Sequence, residues 1–486
     1  MPLVLSDLVV RLLAKNAEDR YQSAEGVEAD LLRAEEAWLA TGTVDPFPLG
    51  QDDLRDRFTI PQRLYGRETQ VARLLEAFER ATQGRTELVL VSGYSGIGKT
   101  ALIQETYRSL ARHRGEYTAG KFDQLARDIP YSALVQALQS FVRVILSETD
   151  EHLATWKSRI QEALGQNGQI LVDLIPELGT LLGPQPPAPP LGPTESQIRF
   201  NLVFQQFLRA LARPEHPLVL FLDDLQWADS ATLGLLPLFL ENPELGGLLL
   251  VGAYRDNEVT SSHPLAGLIR DLKSRAVPLT ELTLQPLESG HVHALLTETL
   301  AGDRAAAGPL ADLVLAKTGG NPFFLIQFLK AMHEDGRISY DRARRGWQVD
   351  LAGIRAQGFT DNVVDLMAGR IQRLGDNTQR VLRLAACVGN RFDLGTLATV
   401  SQQPPGEAAT TLWSAVEQGL VLAEDQSYGV APTPEDGRPL AMRRFRFLHD
   451  RVQQAAYALT PEGDRRDAHL TIGRLLLARG DDGSRS

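Results

Sequence analysis

The chain has 486 residues, enough for about three domains at roughly 150 residues each. With 43% hydrophobic and 23% charged residues it has the make-up of a globular protein, which excludes a disordered or fibrous one. A formal charge of −11 argues against a broad, sequence-independent hold on nucleic acid, and a single cysteine, Cys387, excludes an internal disulfide.

The opening MPLVLSDLVVRLLAK is apolar, but Asp7 interrupts it and no positive residue precedes it, so it reads as an amphipathic helix and not a secretory signal. Apolar and charged positions alternate at helical spacing through residue 40, and 41–63 form a linker around TGTVDPFPLGQDD. From 64 to 285, short β-rich apolar runs alternate with helical stretches, the pattern of an α/β parallel sheet with helices on both faces. Strands are expected at 88–92, 117–122, 218–222, 248–254 and 280–284. Between the second and third lies a largely helical insertion, about 124–216, whose GPQPPAPPLGP is a semi-rigid spacer because each proline fixes its own φ.

Residues 286–375 read as a helical domain broken by a hairpin in GRISYDRARRGWQVD. Helices at 376–388, 393–401 and 407–418 lead into a hairpin through LVLAEDQ and RRFRFLHD, a winged-helix pattern extending to 460, with a C-terminal helix and tail over 461–486. The most apolar runs, ATLGLLPLFL and GGLLLVGA, fall short of the roughly 20 residues that span a bilayer. A soluble protein of the reducing cytoplasm is expected, with Cys387 a buried thiol in VLRLAACVG.

In LVLVSGYSGIGKTALIQ, Gly93, Gly98, Lys99 and Thr100 satisfy G-x-x-x-x-G-K-[ST] between an expected strand and an expected helix. Such glycines let the loop of Gly93, Tyr94, Ser95, Gly96, Ile97 and Gly98 turn its backbone N–H groups inward, and the helix adds its positive N-terminal end, an arrangement that holds phosphate. Lys99 would reach the β- and γ-phosphates of ATP, and the Thr100 hydroxyl would be a Mg2+ ligand, since that ion prefers oxygen. The apolar strand in PLVLFLDDLQWAD ends in two acids. Asp223 suits support of Mg2+, directly or through water, and Asp224 suits orientation or deprotonation of the attacking water; a solvated acidic turn has the same composition. Arg255, at the end of GLLLVGAYRDNEV, either senses the γ-phosphate and stabilises transition-state charge or makes a surface ion pair.

With these motifs in place the chain resembles a STAND-type, AAA-related P-loop ATPase, and in particular the ATPase module of large bacterial sensor kinases. In those proteins a serine/threonine kinase domain precedes the module, and a GAF domain and a histidine kinase follow it. The resemblance rests on LYGRETQVARLL, LVSGYSGIGKTAL, GKFDQLARDIPYSAL, LGPTESQIRFNLVFQQF, LVLFLDDLQWADS, LLLVGAYRDNEV, KTGGNPFFL, TDNVVDLM and FLHDRVQQAAYAL, and covers nearly the whole chain. It implies an ASCE-class P-loop core followed by helical and winged-helix domains, ATP or ADP with Mg2+ as ligands, kinase domains of the same signalling system as partners, and room for a homo-oligomer. By the same resemblance Gly66, Arg67 and Glu68 match a motif near the nucleotide, and Pro322 of GNPFF would pack against the adenine side. His449 of FLHD falls where relatives place a histidine near the β-phosphate of ADP, although a helix-start histidine beside Asp450 is also a common local cap.

The first 35 residues resemble the last helices of a protein kinase catalytic domain, with Arg20 at that family's buried arginine. No ATP-covering glycine loop, H-R-D or D-F-G segment precedes them, so protein-kinase activity is not expected from this chain. The end at RGDDGSRS comes earlier than the family architecture would, which suggests a fragment or a gene split from its neighbours. The sequence thus points to an ATP-hydrolysing signal-transduction switch, with a nucleotide-holding scaffold and a DNA-binding regulator as alternatives.

Overall fold

The computed structural model describes residues 2–14, 20–51, 53, 58–110, 115–124, 129–341, 344, 346–356, 362–424 and 440–482. Parts of GKFDQLARDIPYSAL, TDNVVDLM, LVLAEDQ and the C-terminal tail lie outside them. The chain forms two compact units, Met1–Gly66 with Pro286–Asp361 and Arg67–Gln285 with Asn362–Ser486.

In the first unit, α1 (Leu3–Leu12) buries Val4 and Leu8 while Leu3, Val9, Val10 and Leu12 stay exposed. Helix α2 (Ala24–Thr41) starts at Ser23, whose hydroxyl accepts from Gly26 N. The Asp53 carboxylate ties the turn before it by accepting from Gln22 N, Ser23 N and Ser23 Oγ. Arg20, which the kinase resemblance would bury, is exposed here, and its Nε donates to Ala14 O at 2.7 Å. The buried charge is instead Asp30, because donors converge on it: Tyr21 OH and Gly50 N, each at 2.5 Å.

The second unit opens with α3 (Glu68–Thr82), β1 (Thr86–Ser92), α4 (Lys99–Leu110) and β2 (Glu116–Lys121). Helices α5 (Ser132–Ile145), α6 (Asp150–Leu164), α7 (Gly168–Leu174), α8 (Glu177–Leu182) and α9 (Pro193–Leu211) fill the insertion. Then follow β3 (Leu218–Asp223), α10 (Ser230–Leu240), β4 (Leu248–Tyr254), α11 (Pro264–Ser274) and β5 (Leu279–Thr283). The five strands make a parallel sheet in the order β2-β3-β4-β1-β5, a P-loop NTPase fold. Strands β1, β3 and β4 are buried over almost their whole length, which is why they show as continuous apolar runs. The insertion is no separate body: its Phe141, Trp156, Phe204 and Phe207 share one core with Leu220 and Leu222 of β3 and Phe239 of α10.

The first unit continues with α12 (Ser289–Thr299), α13 (Arg304–Thr318), α14 (Pro322–Glu334), the antiparallel pair β6 (Ile338–Asp341) and β7 (Gly346–Val349), and α15 (Leu351–Ala356). The second resumes with α16 (Val363–Gln372), α17 (Asp376–Val388), β8 (Arg391–Asp393), α18 (Leu394–Ser401) and α19 (Pro405–Glu417). It ends with β9 (Val421–Ala423), β10 (Arg444–Phe447), α20 (Asp450–Ala458) and α21 (Glu462–Asp482). Strands β8, β10 and β9 pair antiparallel in that order, with Phe392 packed on Phe445 and Phe447. Three helices with this small sheet form the winged-helix arrangement. Cys387 is buried on α17, and burial pushes its thiol pKa up. Among the described residues no helix is long and apolar enough to cross a membrane.

Candidate nucleotide site

Parallel strands bring their carboxyl ends to one edge, where open α/β sheets bind ligands. Here the register sets Lys121 beside Asp223 and Ser92 beside Tyr254. The loop leaving β1 turns at Gly93, with φ 147°, where a Cβ would lie 2.9 Å from Leu284 O, so a side chain has no room. Gly96 has φ 80°, again in glycine's range. Lys99 opens α4 and bends its buried ammonium back over the loop, donating to Gly93 O at 2.7 Å and Tyr94 O at 3.0 Å. Burial lowers the pKa of Lys99, opposed by Asp223 and Asp224. Within the loop Ser95 and Ile97 are buried, while Tyr94 is 55% exposed.

Arg67 braces this loop from behind. It is buried at the start of α3 and donates to Gln285 O at 2.6 Å, with Ile97 O at 3.5 Å. Desolvation lowers its pKa. The cradle fits phosphate: an ammonium resting on two carbonyls, a helix N-terminus, and open space on the Cβ side of Gly98. Thr100 Oγ1 donates to Asp223 Oδ2 at 3.0 Å, a hydroxyl and a carboxylate suited to a hard cation. The Asp223 pKa is raised by burial and then by Asp224, a strain that a bound cation would relieve. Among the described residues no group of three or more His, Cys, Asp or Glu side chains could hold a metal. Of the residues here, Thr100 and Asp223 are the pair that could hold Mg2+.

Asp224 adopts φ 57° and ψ 45°, a left-handed backbone rare outside glycine. Its Oδ1 accepts from Gln226 Nε2 at 2.8 Å and lies 3.4 Å from Arg255 Nε; its Oδ2 lies 2.9 Å from Lys121 Nζ. Arg255 is buried, with its guanidinium 4.8 Å above the Trp227 ring, and also pairs with Glu258 at 2.8 Å. Asp450, the first residue of α20, then bonds both cations: Lys121 at 3.1 Å and Arg255 Nη2, with Asn390 Nδ2 as a further donor. Burial would raise the Asp450 pKa, but Lys121, His449 and Arg255 hold it down to about 2. Burial would likewise lower the pKa of Lys121, yet Asp450 and Asp224 raise it.

His449 caps α20, its Nδ1 accepting from Arg451 N at 3.1 Å, and burial lowers its pKa to about 4. The ring is thus a neutral cap beside the charge cluster. Pro322 lies in the first unit as the opening residue of α14, behind the Asn321 cap. The structure therefore brings together the 93–100 loop, Asp223, Asp224, Arg67 and Arg255. Sequence reasoning missed Lys121 and the bridging role of Asp450. The available signal was a lysine closing a strand in GKFD, since the strand's neighbour ends in two acids.

The AAA ATPase domain family model matches residues 63–251. Hybrid signal transduction histidine kinase G of Dictyostelium discoideum is 28% identical over 584 residues, covering 99% of this chain and 17% of that protein. Peroxide stress-activated histidine kinase mak3 of Schizosaccharomyces pombe is 21% identical over 524 residues, covering 88% of this chain and 22% of its own. The chain spans less than a quarter of either relative, and both are eukaryotic, whereas the resemblance drawn from the sequence pointed to bacterial proteins. Among solved structures, a signal transduction ATPase with numerous domains (STAND) that carries a tetratricopeptide repeat sensor, from Pyrococcus horikoshii, aligns at TM-score 0.43 and 12% identity. That alignment covers 87% of this chain and 47% of the other.

Proposed function

We propose that this chain is an ATP-binding and ATP-hydrolysing switch within a multidomain histidine-kinase signalling system, working in the cytoplasm beside kinase domains of the same system. One observation carries the reading. Asp450, from the winged-helix end of the unit, pairs with Lys121 and Arg255, the same two cations that flank Asp224 at the nucleotide edge. The site's charge state and the seat of α20 are therefore set by one cluster.

Bound ATP with Mg2+ would supply the phosphoanhydride bond to be cleaved. The 93–98 backbone and Lys99 bind phosphate, Thr100 and Asp223 hold the cation, and Asp224 orients water. While Lys121 and Arg255 engage Asp224 they offset its charge, so a ligand that draws either cation away frees the acid and loosens Asp450 together. Such a ligand shifts the switch only by the difference in its affinity for the two arrangements. A second reading, a scaffold that holds nucleotide without turnover, is favoured by that same engagement of Asp224.

Steady-state phosphate release from ATP separates the two. Hydrolysis by the parent that falls by about a hundredfold in Asp224→Asn, with nucleotide binding kept, is expected for the switch. Binding without release selects the scaffold, and a variant as active as the parent removes Asp224 from the reaction.

A further inference from the structure

The segment joining α8 to α9 has no part in the nucleotide site. Residues 178–194 carry no charge, and prolines take five of the seven positions 184–190. Each ring fixes φ near −65° and pushes the preceding residue to extended values, which yields a polyproline helix of three residues per turn. Exposure follows that period: Gln185 and Ala188 are half-buried, while Pro184, Pro187 and Pro190 form one exposed row and Pro186 and Pro189 a second. The strip is also fastened from beneath. Arg199 of α9 donates to Pro189 O at 2.7 Å, Ser196 Oγ to Leu191 O at 3.3 Å, and the Gln185 side chain lies against Gly168 of α7.

We propose that residues 184–191 are a docking strip for a partner domain whose groove is lined by stacked aromatic rings. Within 186–190 Ala188 alone carries a backbone N–H, so the strip cannot extend a sheet edge. Its shape is set before binding, which lowers the ordering cost that a flexible peptide would bear. Two exposed proline rows match ridges of Tyr and Trp rings. Along the sequence the nearest charges are Glu177 and Glu195, outside the strip, and Arg199 is bound to Pro189 O beneath it, so the exposed rows themselves are uncharged and recognition works by ring packing. None of this depends on the nucleotide reading.

The test titrates the full chain into isotope-labelled SH3, WW and EVH1 domains, each carrying such a groove. Shifts of the groove's aromatic resonances in at least one domain, persisting at high salt, are expected. Pro187→Ala/Pro190→Ala, which removes two of the three rings of one row, should weaken that binding by about tenfold or more. Pro186→Ala/Pro189→Ala tests the second row should the first variant misfold, as judged by urea unfolding. No shift in any of the three domains, loss of binding on adding salt, or parent-like affinity in the folded row variants overturns the proposal.

Discussion

A histidine that caps a helix through its δ nitrogen must stay neutral to do so, and His449 is such a residue. Its folded pKa, lowered to about 4, lies below the unfolded value of 6.5. The unfolded chain therefore takes the proton first as pH falls, and the stability tied to His449, complete above pH 6.5, declines as pH drops toward 4. Asp450 adds a lower window, since its contribution is present above pH 3.8 and lost as pH falls through about 2. Between pH 7 and 5 the His449 share amounts to about 2 kcal/mol. His449→Asn keeps a good cap and removes the titration, so urea unfolding at the two pH values should show a smaller loss in the variant than in the parent. Equal losses would place the acid sensitivity elsewhere.

The 93–98 loop shows how an element's backbone sets its chemistry. Gly93→Ala forces a Cβ to within 2.9 Å of Leu284 O and 3.0 Å of Ile97 Cγ2 at a φ of 147°. It should cost about 1–3 kcal/mol in urea unfolding and weaken binding of a fluorescent ATP analogue. Gly98→Ala meets open space at its Cβ but holds a φ of 99°, so its cost should come from backbone strain alone. This loop was legible from the sequence because its glycines, lysine and threonine are contiguous. So were β1, β3 and β4, whose burial on both faces leaves unbroken apolar runs. Edge strand β5 was displaced by one residue, since Thr280, Glu281 and Thr283 face partly outward and blur the pattern. Lys121 and Asp450 were not legible as partners: 329 residues separate them, and their meeting depends on β2 lying next to β3 and on where α20 begins. The proline strip announced its conformation through composition, but its fastening by Arg199 required the fold of α9.

At the scale of the molecule, each unit is assembled from two separated stretches of chain. The nucleotide loop, both acids, Lys121, Arg255 and Asp450 all belong to the second unit, so ligand binding should stabilise that unit. Binding to the folded form alone adds RT ln(1 + [L]/Kd), about 2.7 kcal/mol at a hundredfold excess over Kd. Differential scanning calorimetry with ATP or ADP should show a transition moved upward, and Lys99→Ala should abolish the movement. A shift that survives in a folded Lys99→Ala protein would mean the nucleotide binds elsewhere.

The interleaving of the two units also gives the newborn chain a history. The segment Met1–Gly66 leaves the ribosome long before its companion Pro286–Asp361, because the whole of Arg67–Gln285 is made in between. At 5–20 residues per second the early helices wait roughly ten to forty seconds for their companion segment. Leu3, Val9, Val10 and Leu12, exposed even in the finished fold, spend that interval with still less cover. Translation speed across the middle of the message thus becomes a determinant of yield, and helices α1 and α2 are where a holding chaperone would act.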